Sequence, residues 1–488
     1  MITFTLSLMA LVVGYIVYGK FIERVFSPDD RSTPAVAKAD GVDFMVLPNW
    51  KIFMIQFLNI AGTGPIFGAI MGAKFGSSAY LWIVFGCIFA GAVHDYFSGM
   101  LSMRNEGAGL PELVGKYLGL PAKNVMLVFA ILLLMMVGAV FVYSPALILG
   151  SFCGKGTVWV YIWCGVIFIY YIIATMLPID KIIGKIYPLF AFSMLFMAVA
   201  LMAVLFVKWP SLPEMSDGLA NMNPEGGAIF PALFITIACG AISGFHATQS
   251  PLMARCVQNE KKGRALFYGS MITEGLVALI WATVSSYFFY GGAAAELGIK
   301  LSERIPQAPE VVTIVSEGWL GTFGGILAML GVVAAPITSG DTALRSARLI
   351  IAEFLHLEQR SISKRLYICI PLFLTTLGLL FFNIENPNGF NVIWNYFGWA
   401  NQTLAVFTLW TVTVYLVQQR KTFWITLIPA LFMTVVCSTF IVVSKNAIGA
   451  DLMFGYGVGG AALIIAVAWF LGWYGKYKKS ADGTGANH

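Results

Sequence analysis

Charged residues are scarce in this 488-residue chain: Asp, Glu, Lys and Arg make up 11% of it, whereas 59% is hydrophobic. A soluble globular protein has about 25% charged and about 45–50% apolar residues. So few charges cannot cover so much apolar surface in water, which excludes a soluble enzyme. The formal net charge of +6 does not indicate nucleic-acid binding either, because the Lys and Arg residues lie in loops between apolar stretches.

Two further absences narrow the class of protein. The seven cysteines form no CxxC pair and mostly lie inside apolar runs, so the sequence predicts neither a disulfide framework nor a zinc site. No Lys or Arg precedes the first apolar stretch, and Lys20 and Arg24 follow it. A cleaved signal peptide has the opposite order. Residues 3–19 are therefore predicted to be a retained membrane span.

Long apolar runs fill the rest of the chain. A helix needs about 20 mostly apolar residues to cross a bilayer, and the sequence predicts an all-α polytopic membrane protein of a single integral membrane domain, 1–488. We number about thirteen predicted spans in chain order: 3–20, 51–73, 79–103, 124–150, 157–177, 187–207, 229–251, 265–291, 323–351, 365–383, 391–417, 422–444 and 453–474. The longest predicted loops are 20–50 and 291–322.

The positive charges predict the orientation. When the loops are numbered in order and the C-terminal tail is added to the odd set, 24 of the 30 Lys and Arg residues fall in that odd set. Lys and Arg favour the cytoplasmic side. The sequence therefore predicts a multi-pass membrane protein with the N-terminus outside and the C-terminus in the cytoplasm.

Two predicted spans contain sequences that a regular helix avoids. Span 2 carries Gly62, Thr63, Gly64 and Pro65, and span 7 carries the stretch CGAISGFHATQSP at 239–251. Gly favours unwinding and Pro removes a backbone donor, and two such breaks at matching places in two halves point to a transporter site. The alternative is that these glycines only allow close helix packing. The candidate substrate-binding residues of span 7 are Gly244, His246, Thr248, Gln249 and Ser250.

Ionisable side chains are rare within the spans, and each costs at least about 2.5–3.5 kcal/mol to bury, which makes it a candidate functional residue. These residues are His94 and Asp95 in span 3, His246 in span 7, Glu274 in span 8 and Asp341 in span 9. Glu274 is the best-placed proton-binding group, with an interhelical hydrogen bond as the alternative. His94 and Asp95 suit either proton transfer or a bracing hydrogen bond, and Asp341 could instead pair with Arg345 four residues later.

Two neighbouring amides interrupt span 11. Asn401 and Gln402 are expected in the polar core, where such side chains join helices through hydrogen bonds.

Several stretches resemble the carbon starvation protein A (CstA) family, in the family's order and over most of the chain. They are GTGPIFGAI at 62–70, GAVHDYFSGMLSMRNEG at 91–107, SGFHATQSP at 243–251, the Glu274-Gly275 segment, PITSGDTALRSARLIIAEF at 336–354 and GWANQTLA at 398–405. The resemblance implies a transporter of the bacterial inner membrane that is linked to carbon limitation. Members of this family are associated with uptake of peptides or pyruvate and with proton coupling.

The resemblance also implies a LeuT-like core of two inverted repeats of five spans each, within the amino acid–polyamine–organocation superfamily. The repeats would be 51–207 and 229–417. The first span and its loop, 1–50, would precede them, and two additional spans, 422–474, and a cytoplasmic tail, 475–488, would follow. This chain is shorter than the long family members, so the substrate range carries over less directly.

A mechanism follows from this resemblance. The substrate carboxylate is expected at the bilayer midplane, facing backbone N–H groups at the two breaks, because half-helix N-termini suit anions. His246, Thr248 and Gln249 would orient the remainder of the substrate. Thr338 and Ser339 of span 9 would cross span 2 where LeuT-like proteins often hold sodium. No cofactor is expected beyond a coupling ion, H⁺ or Na⁺, and the expected partners are a small-molecule substrate and the bilayer, with neither nucleic acid nor an obligate protein partner.

Other functions remain as alternatives. A sodium-coupled peptide or amino-acid transporter is the main one, and a nutrient sensor without transport is a remote one. A channel would need a continuous polar lining, and an intramembrane enzyme would need a catalytic motif that the chain lacks. No Asp or Glu falls inside either break, which favours a monocarboxylate over a peptide, unless Glu274 reaches in from span 8.

Overall fold

The computed structural model describes the chain except for residues 41–43, 155, 177–182, 225, 356, 358–361, 387 and 485–488. The helices in the first half are α1 Ile2–Phe26, α2 Pro34–Ala37, α3 Asn49–Ala61, α4 Ala69–Gly72, α5 Ser78–Gly86, α6 Ala92–Arg104, α7 Leu110–Leu118, α8 Leu120–Cys153, α9 Thr157–Met176 and α10 Ile183–Lys208. The helices in the second half are α11 Ile229–Thr236, α12 His246–Ala254, α13 Gly269–Tyr290, α14 Ala293–Glu296, α15 Ala308–Phe354, α16 Ile362–Glu385, α17 Gly389–Gln418, α18 Trp424–Val443 and α19 Leu452–Thr484.

The prediction of a polytopic helical membrane protein is confirmed. Within the described residues, 11 helices are long and apolar enough to cross a membrane, and the pair Asn49–Ala61 and Gly64–Phe75, bent by 51°, would make a twelfth. The segment of predicted span 7 forms two short helices, α11 and α12, with an unwound stretch between them. Neither is long enough to cross a bilayer alone. The count of thirteen spans and the inverted repeat stay predictions.

One predicted loop and the predicted C-terminal tail are more helical than expected. Residues 291–322 contain α14 and the first part of α15, which bends at Gly321, where φ is +65°. A positive φ ends a regular helix at low cost only in Gly, so α15 turns from a surface helix into a span at this residue. The predicted polar tail is also partly helical, because α19 continues to Thr484.

The surface cavities fall into two sets that are lined by different loops. One set of surface cavities is lined by residues from 30–49, 104–116 and 255–262, all on predicted odd loops or the span ends beside them. Another set is lined by residues from 70–75, 223–236 and 386–395 and other parts of predicted even loops and adjoining span ends. This separation agrees with the alternation of the predicted loops, and the side that faces the cytoplasm stays a prediction.

Helix α1 is held closely against the rest of the bundle. A Cβ atom on Gly14 would lie 2.7 Å from the Ile88 side chain, so only a residue without a side chain allows this approach. At the odd-loop end, the buried Glu260 carboxylate accepts hydrogen bonds from Arg104 (2.6 Å) at the end of α6 and from the backbone N–H of Asp29 (3.0 Å) after α1. These contacts join the first helix to α5 and α6.

Candidate substrate and coupling site

The first break interrupts the segment that contains α3 and α4. Helix α3 ends at Ala61, and Gly62 adopts a φ of +49°, a conformation that side chains disfavour. Residues Gly64–Gly68 then form a π-helical turn with Pro65 in its first positions, where the missing proline N–H costs little. The predicted break in span 2 is therefore present, and Thr63, which it contains, is fully buried.

The second break separates α11 from α12, and its freed carbonyl groups are satisfied by side chains from other helices. Trp82 Nε1 donates to the Ile237 carbonyl (2.8 Å), and Gln402 Nε2 donates to that of Phe234 (3.0 Å). Within this break Gly240 adopts a φ of +93°. Unwound backbone is tolerated at membrane depth when it is buried in protein in this way.

Asn401 caps the N-terminal end of α12. Its side-chain Oδ1 accepts hydrogen bonds from the Phe245 backbone N–H (2.7 Å) and the Ser243 hydroxyl (3.1 Å), and its backbone carbonyl accepts one from Gly244 N–H (3.2 Å). The N–H groups of Gly244 and Phe245 thus donate to Asn401 in this conformation, and the expectation that amide groups of this half-helix face a substrate carboxylate stays a prediction. Buried N–H groups need partners, and here the protein provides one.

The two breaks cross each other at van der Waals distance. A Cβ atom on Gly64 would lie 2.2 Å from Cβ of Cys239, and one on Gly240 would lie 3.7 Å from Cα of Pro65. Gly244 is similarly constrained, because its Cβ atom would lie 2.3 Å from backbone atoms of Asn401 and Ala405. Gly64 and Gly244 thus serve close packing as well as unwinding.

Four predicted ionisable residues lie in one chain of contacts, and all of them are fully buried. One Asp95 oxygen lies 2.8 Å from His94 Nδ1, and the other lies 2.8 Å from His246 Nδ1. The opposite ring nitrogen of His246, Nε2, lies 3.4 Å from the Glu274 carboxylate. The sequence suggested these residues separately, and the fold brings them together at the start of α12.

The polar atoms between His246 and Glu274 are poised to share a proton. When His246 Nδ1–H donates to Asp95, Nε2 carries a lone pair that faces Glu274. Within the described residues, neither Nε2 nor either Glu274 oxygen has a hydrogen-bond partner. A proton on either group would create a hydrogen bond that is otherwise missing. Glu274 therefore does reach the second break from α13, which removes the basis for favouring a monocarboxylate over a peptide.

Cys239 lies beside this pair. Its thiol, the His246 imidazole and the Glu274 carboxylate place donor atoms within 4.8 Å of one another, a spacing that suits a metal ion. The Cys239 sulfur, however, contacts the Ser243 hydroxyl (3.4 Å) and the Asn401 amide (3.8 Å). The thiol thus belongs to the hydrogen-bonding network of the break.

Helix α12 presents further polar groups towards α3. Gln56 Nε2 donates to the Ser250 hydroxyl (2.9 Å), whereas Gln249 Nε2 donates to Thr248 (2.9 Å). Among the described residues of α3, the first break and α12, four buried side chains carry an oxygen without a hydrogen-bond partner: Gln56, Asn59, Thr63 and Gln249. Such groups are costly unless a ligand or water satisfies them, which makes them candidate substrate contacts.

Span 9 crosses span 2 as expected. The Ser339 hydroxyl lies 3.4 Å from the Leu58 carbonyl and 3.5 Å from that of Asn59, and Thr338 is buried one position earlier. Asp341 is farther along α15, where Tyr170 donates to its carboxylate (3.3 Å) and Arg345 lies 3.8 Å away. Asp341 thus has the ion-pair surroundings named as its alternative.

Some residues of the site cannot be recognised from their charge. Gln56 and Asn59 are polar but uncharged, so they stand out less in the apolar run of span 2 than an ionisable residue would. The indole N–H groups of Trp82 and Trp394 reach carbonyls of the second break. Only the fold shows that these two tryptophans lie inside the bundle.

The profile of the family described as Carbon starvation protein CstA matches residues 1–162, 151–315 and 308–440. The chain belongs to this family. Among relatives, an "Uncharacterized membrane protein" of Haemophilus influenzae is 46% identical over 65% of this chain and 99% of its own length. "Peptide transporter CstA" of Campylobacter jejuni is 27% identical over 87% of this chain and 77% of its own.

A third relative is named after a different substrate. The "Pyruvate/proton symporter BtsT" of Escherichia coli is 25% identical over 89% of this chain and 80% of its own length. The bacterial relatives and the many apolar helices identify this CstA-family member as a multi-pass inner-membrane protein.

Solved transporters share its fold. A manganese transporter of Eremococcus coleocola superposes with a TM-score of 0.56 at 14% identity, over 89% of this chain and 98% of its own. A Na⁺-coupled sialic acid symporter superposes with a TM-score of 0.56 at 12% identity, over 96% of both chains. At these identities the likeness concerns the fold alone.

Proposed function

We propose that this CstA-family protein is a proton-coupled secondary transporter that imports a small carboxylate-bearing nutrient, such as pyruvate or a short peptide. Two relatives support the substrate class, since one is named a peptide transporter and another a pyruvate/proton symporter. The observation that carries the proposal is the position of His246, which lies between the Asp95 and Glu274 carboxylates in the break between α11 and α12.

The charge of this buried chain explains how a proton and a carboxylate would be coupled. An unbalanced charge in a buried site is costly. A bound substrate carboxylate adds one negative charge, and a proton held between His246 and Glu274 adds one positive charge. Each ligand therefore strengthens the binding of the other, and this coupling is reciprocal.

The substrate would lie where the two breaks cross. The first break, Gly62–Pro65, supplies backbone groups, and the unpartnered oxygens of Thr63 and Gln249 provide polar contacts. His246 faces the same crossing, whereas Ser250 is engaged with Gln56 and Gly244 with Asn401. For a peptide, Glu274 is the carboxylate available to its amino group, and for pyruvate it acts only as the proton-binding group.

Sodium coupling is the second candidate. The Ser339 hydroxyl and the carbonyls of Leu58 and Asn59 form a group of oxygen atoms at the crossing of α15 and α3, and hard cations prefer oxygen ligands. In that case sodium, and not a proton at Glu274, would supply the positive charge.

The deciding experiment is uptake of labelled pyruvate into proteoliposomes under an inward proton gradient, with and without sodium, and with excess dipeptide as competitor. Uptake that collapses with a protonophore and is indifferent to sodium supports proton symport. Counterflow of labelled substrate separates a carrier from a channel, an enzyme or a sensor. Uptake of neither pyruvate nor dipeptide under any gradient would refute the proposed function.

A further inference from the structure

A broad polar trough opens at the end of the bundle where the predicted even loops gather. It consists of two adjoining cavities of about 750 and 480 Å³ that share Met71, Lys74, Asn388 and Asn391. Six asparagines contribute to the larger cavity: Asn223, Asn386, Asn388, Asn391, Asn395 and Asn446. Their amide groups both donate and accept hydrogen bonds.

Charged groups of the described trough residues favour anions. Lys74 and Lys445 line the larger cavity, and Arg304 and Glu310 line the smaller one. Arg304 and Glu310 form an ion pair with each other, so their charges largely cancel. Lys445 adds a positive charge to the larger cavity, which raises the local concentration of a carboxylate.

The floor of the trough is aromatic. Tyr143 and Thr236 line the cavities, and beneath them six buried rings form what we call the aromatic layer: Phe67, Phe141, Tyr143, Phe390, Trp394 and Phe397. Trp394 is its centre, with ring centroids 6.1 Å from Phe67, 5.7 Å from Phe390 and 5.3 Å from Phe397. Three predicted spans, 2, 4 and 11, contribute to this layer.

The aromatic layer continues down to the first break. Phe397 contacts Phe141 (6.3 Å between centroids), and a Cβ atom on Gly62 would lie 2.8 Å from the Phe141 ring. On the other side Trp394 Nε1 lies 3.5 Å from the carbonyl of Thr236, next to the second break. Both breaks therefore lie directly against the rings. Of the six rings of the aromatic layer, two carry a polar group, the Tyr143 hydroxyl and the Trp394 indole N–H.

We infer that the aromatic layer is the barrier between the polar trough and the crossing of the two breaks, and that Trp394 sets the size of the solute that passes. The identity of the solute, a small polar carboxylate, rests on the proposed function. The existence of the barrier does not depend on it. A polar solute collected by the asparagines reaches Thr63 only when Phe67 and Trp394 separate. Large or branched solutes require a larger displacement of these rings.

Cysteine labelling tests the barrier without reference to any substrate. In a background with Cys153→Ser, Asn391→Cys places a thiol in the trough and Thr63→Cys places one below the layer. With a membrane-impermeant thiol reagent, we expect Thr63→Cys to react at least about tenfold more slowly than Asn391→Cys, because a buried thiol is poorly accessible. Adding Trp394→Ala should bring the two rates together.

The matched control is Trp410→Ala, since Trp410 is also a buried tryptophan of α17 but packs against Trp469 and Phe470. If Trp410→Ala accelerates labelling as much as Trp394→Ala does, or if Thr63→Cys reacts rapidly with Trp394 present, the barrier is not the aromatic layer. Size-exclusion profiles and the conservative Trp394→Phe, which should keep the barrier, distinguish a lost ring from a lost fold.

Transport gives the second readout. In wild-type proteoliposomes we compare initial uptake of pyruvate with that of phenylpyruvate, or of a dipeptide with a tetrapeptide if peptides are the substrate. Trp394→Leu should reduce the preference for the smaller solute by about tenfold, within the range that pocket size alone supplies. An unchanged preference would overturn the selectivity assignment. Absence of any wild-type uptake would instead refute the proposed function, with the labelling result still deciding the barrier.

Discussion

Gly64 and Cys239 occupy the point where the two broken segments cross, and no side chain fits between them: a Cβ atom on Gly64 would lie 2.2 Å from Cβ of Cys239. We expect Gly64→Ala to abolish transport and lower thermal stability, because overpacking of this kind costs about 1–3 kcal/mol or more. Cys239→Gly in the same chain should restore part of both, since it removes the atoms that clash.

Gly378→Ala is the control for this crossing, because Gly378 lies within α16 and a Cβ atom there would meet open space. It should leave transport into proteoliposomes unchanged. The melting temperature of the detergent-solubilised protein should also stay unchanged. If Gly64→Ala behaves like Gly378→Ala, the two segments are not in contact in the working transporter.

Glu274→Gln removes the proton-binding carboxylate but keeps its shape. We expect proton-driven accumulation of substrate to be lost while exchange of internal for external substrate continues, because exchange needs no net proton movement. Radiolabel uptake and counterflow in proteoliposomes measure the two activities. Glu303→Gln, at an exposed loop position paired with Lys300, should retain both, and accumulation by Glu274→Gln at the wild-type level would contradict the coupling role.

The charge balance of the site also predicts the electrical behaviour of pyruvate uptake. One carboxylate and one proton carry no net charge together, so a potassium diffusion potential imposed with valinomycin should not change the uptake rate, whereas a pH gradient should. A strong response to the potential would point to a cation that enters in excess, as in sodium coupling. Ser339→Ala then separates proton coupling from sodium coupling, because it should leave sodium-independent uptake intact.

Asn401 stabilises the start of α12 through three hydrogen bonds. Asn401→Ala removes the acceptor of the buried Phe245 N–H, at about 1–3 kcal/mol, and leaves the Ser243 hydroxyl with the Cys239 thiol as its remaining partner. Thermal unfolding in detergent should show a melting temperature lower by several degrees, whereas Asn401→Asp, which keeps an acceptor oxygen, should lose less. Asn446→Ala, at an exposed position, serves as the control, and an equal loss there would argue against the capping role.

A surface ion pair gives a stability effect with a defined pH dependence. Hydrogen bonds from Lys208 (2.7 Å) and Tyr287 (2.5 Å) lower the pKa of Glu296 below its ordinary value of 4.5. The lowered pKa means that this pair stabilises the fold above pH 4.5 and that the contribution is lost as the pH falls through the pKa of the folded state. Glu296→Gln should lower the free energy of unfolding by at most about 1 kcal/mol at pH 7.

The difference between wild type and Glu296→Gln should shrink as unfolding is measured at progressively lower pH below 4.5. A difference that stays constant with pH would show that the pair does not respond to the protonation of Glu296.

The sequence predicted the membrane class, most helices and both breaks, because these depend on local hydropathy and on Gly and Pro. It also placed His94, Asp95, His246 and Glu274 among the candidates, since a charge in an apolar run is conspicuous. It did not predict that Asp95 joins the two imidazoles, because this depends on the rotation of α6 relative to α12. A hydropathy pattern fixes which residues are buried but not the angle between two buried helices.

The capping of α12 by Asn401 could not be predicted from the sequence for a related reason. A break next to a half-helix suggests free amide groups, but whether they are free depends on the side chain opposite. Asn401 is 156 positions from Phe245, and nothing local links them. Likewise, the contacts of Trp82 and Trp394 with the second break follow only from the approach of α5 and α17 to it.

The contacts of α1 couple it to the segment that carries His94 and Asp95. Arg264 forms an ion pair with Glu23 of α1 (2.8 Å), and Ile88 packs closely against Gly14 of the same helix. Glu260 accepts hydrogen bonds from both Arg104 and the backbone N–H of Asp29, which follows α1. If the segment carrying His94 and Asp95 tilts during transport, α1 must tilt with it. A spectroscopic label on the lipid-facing side of α1 would then report the alternation between the two open states without touching the solute's route.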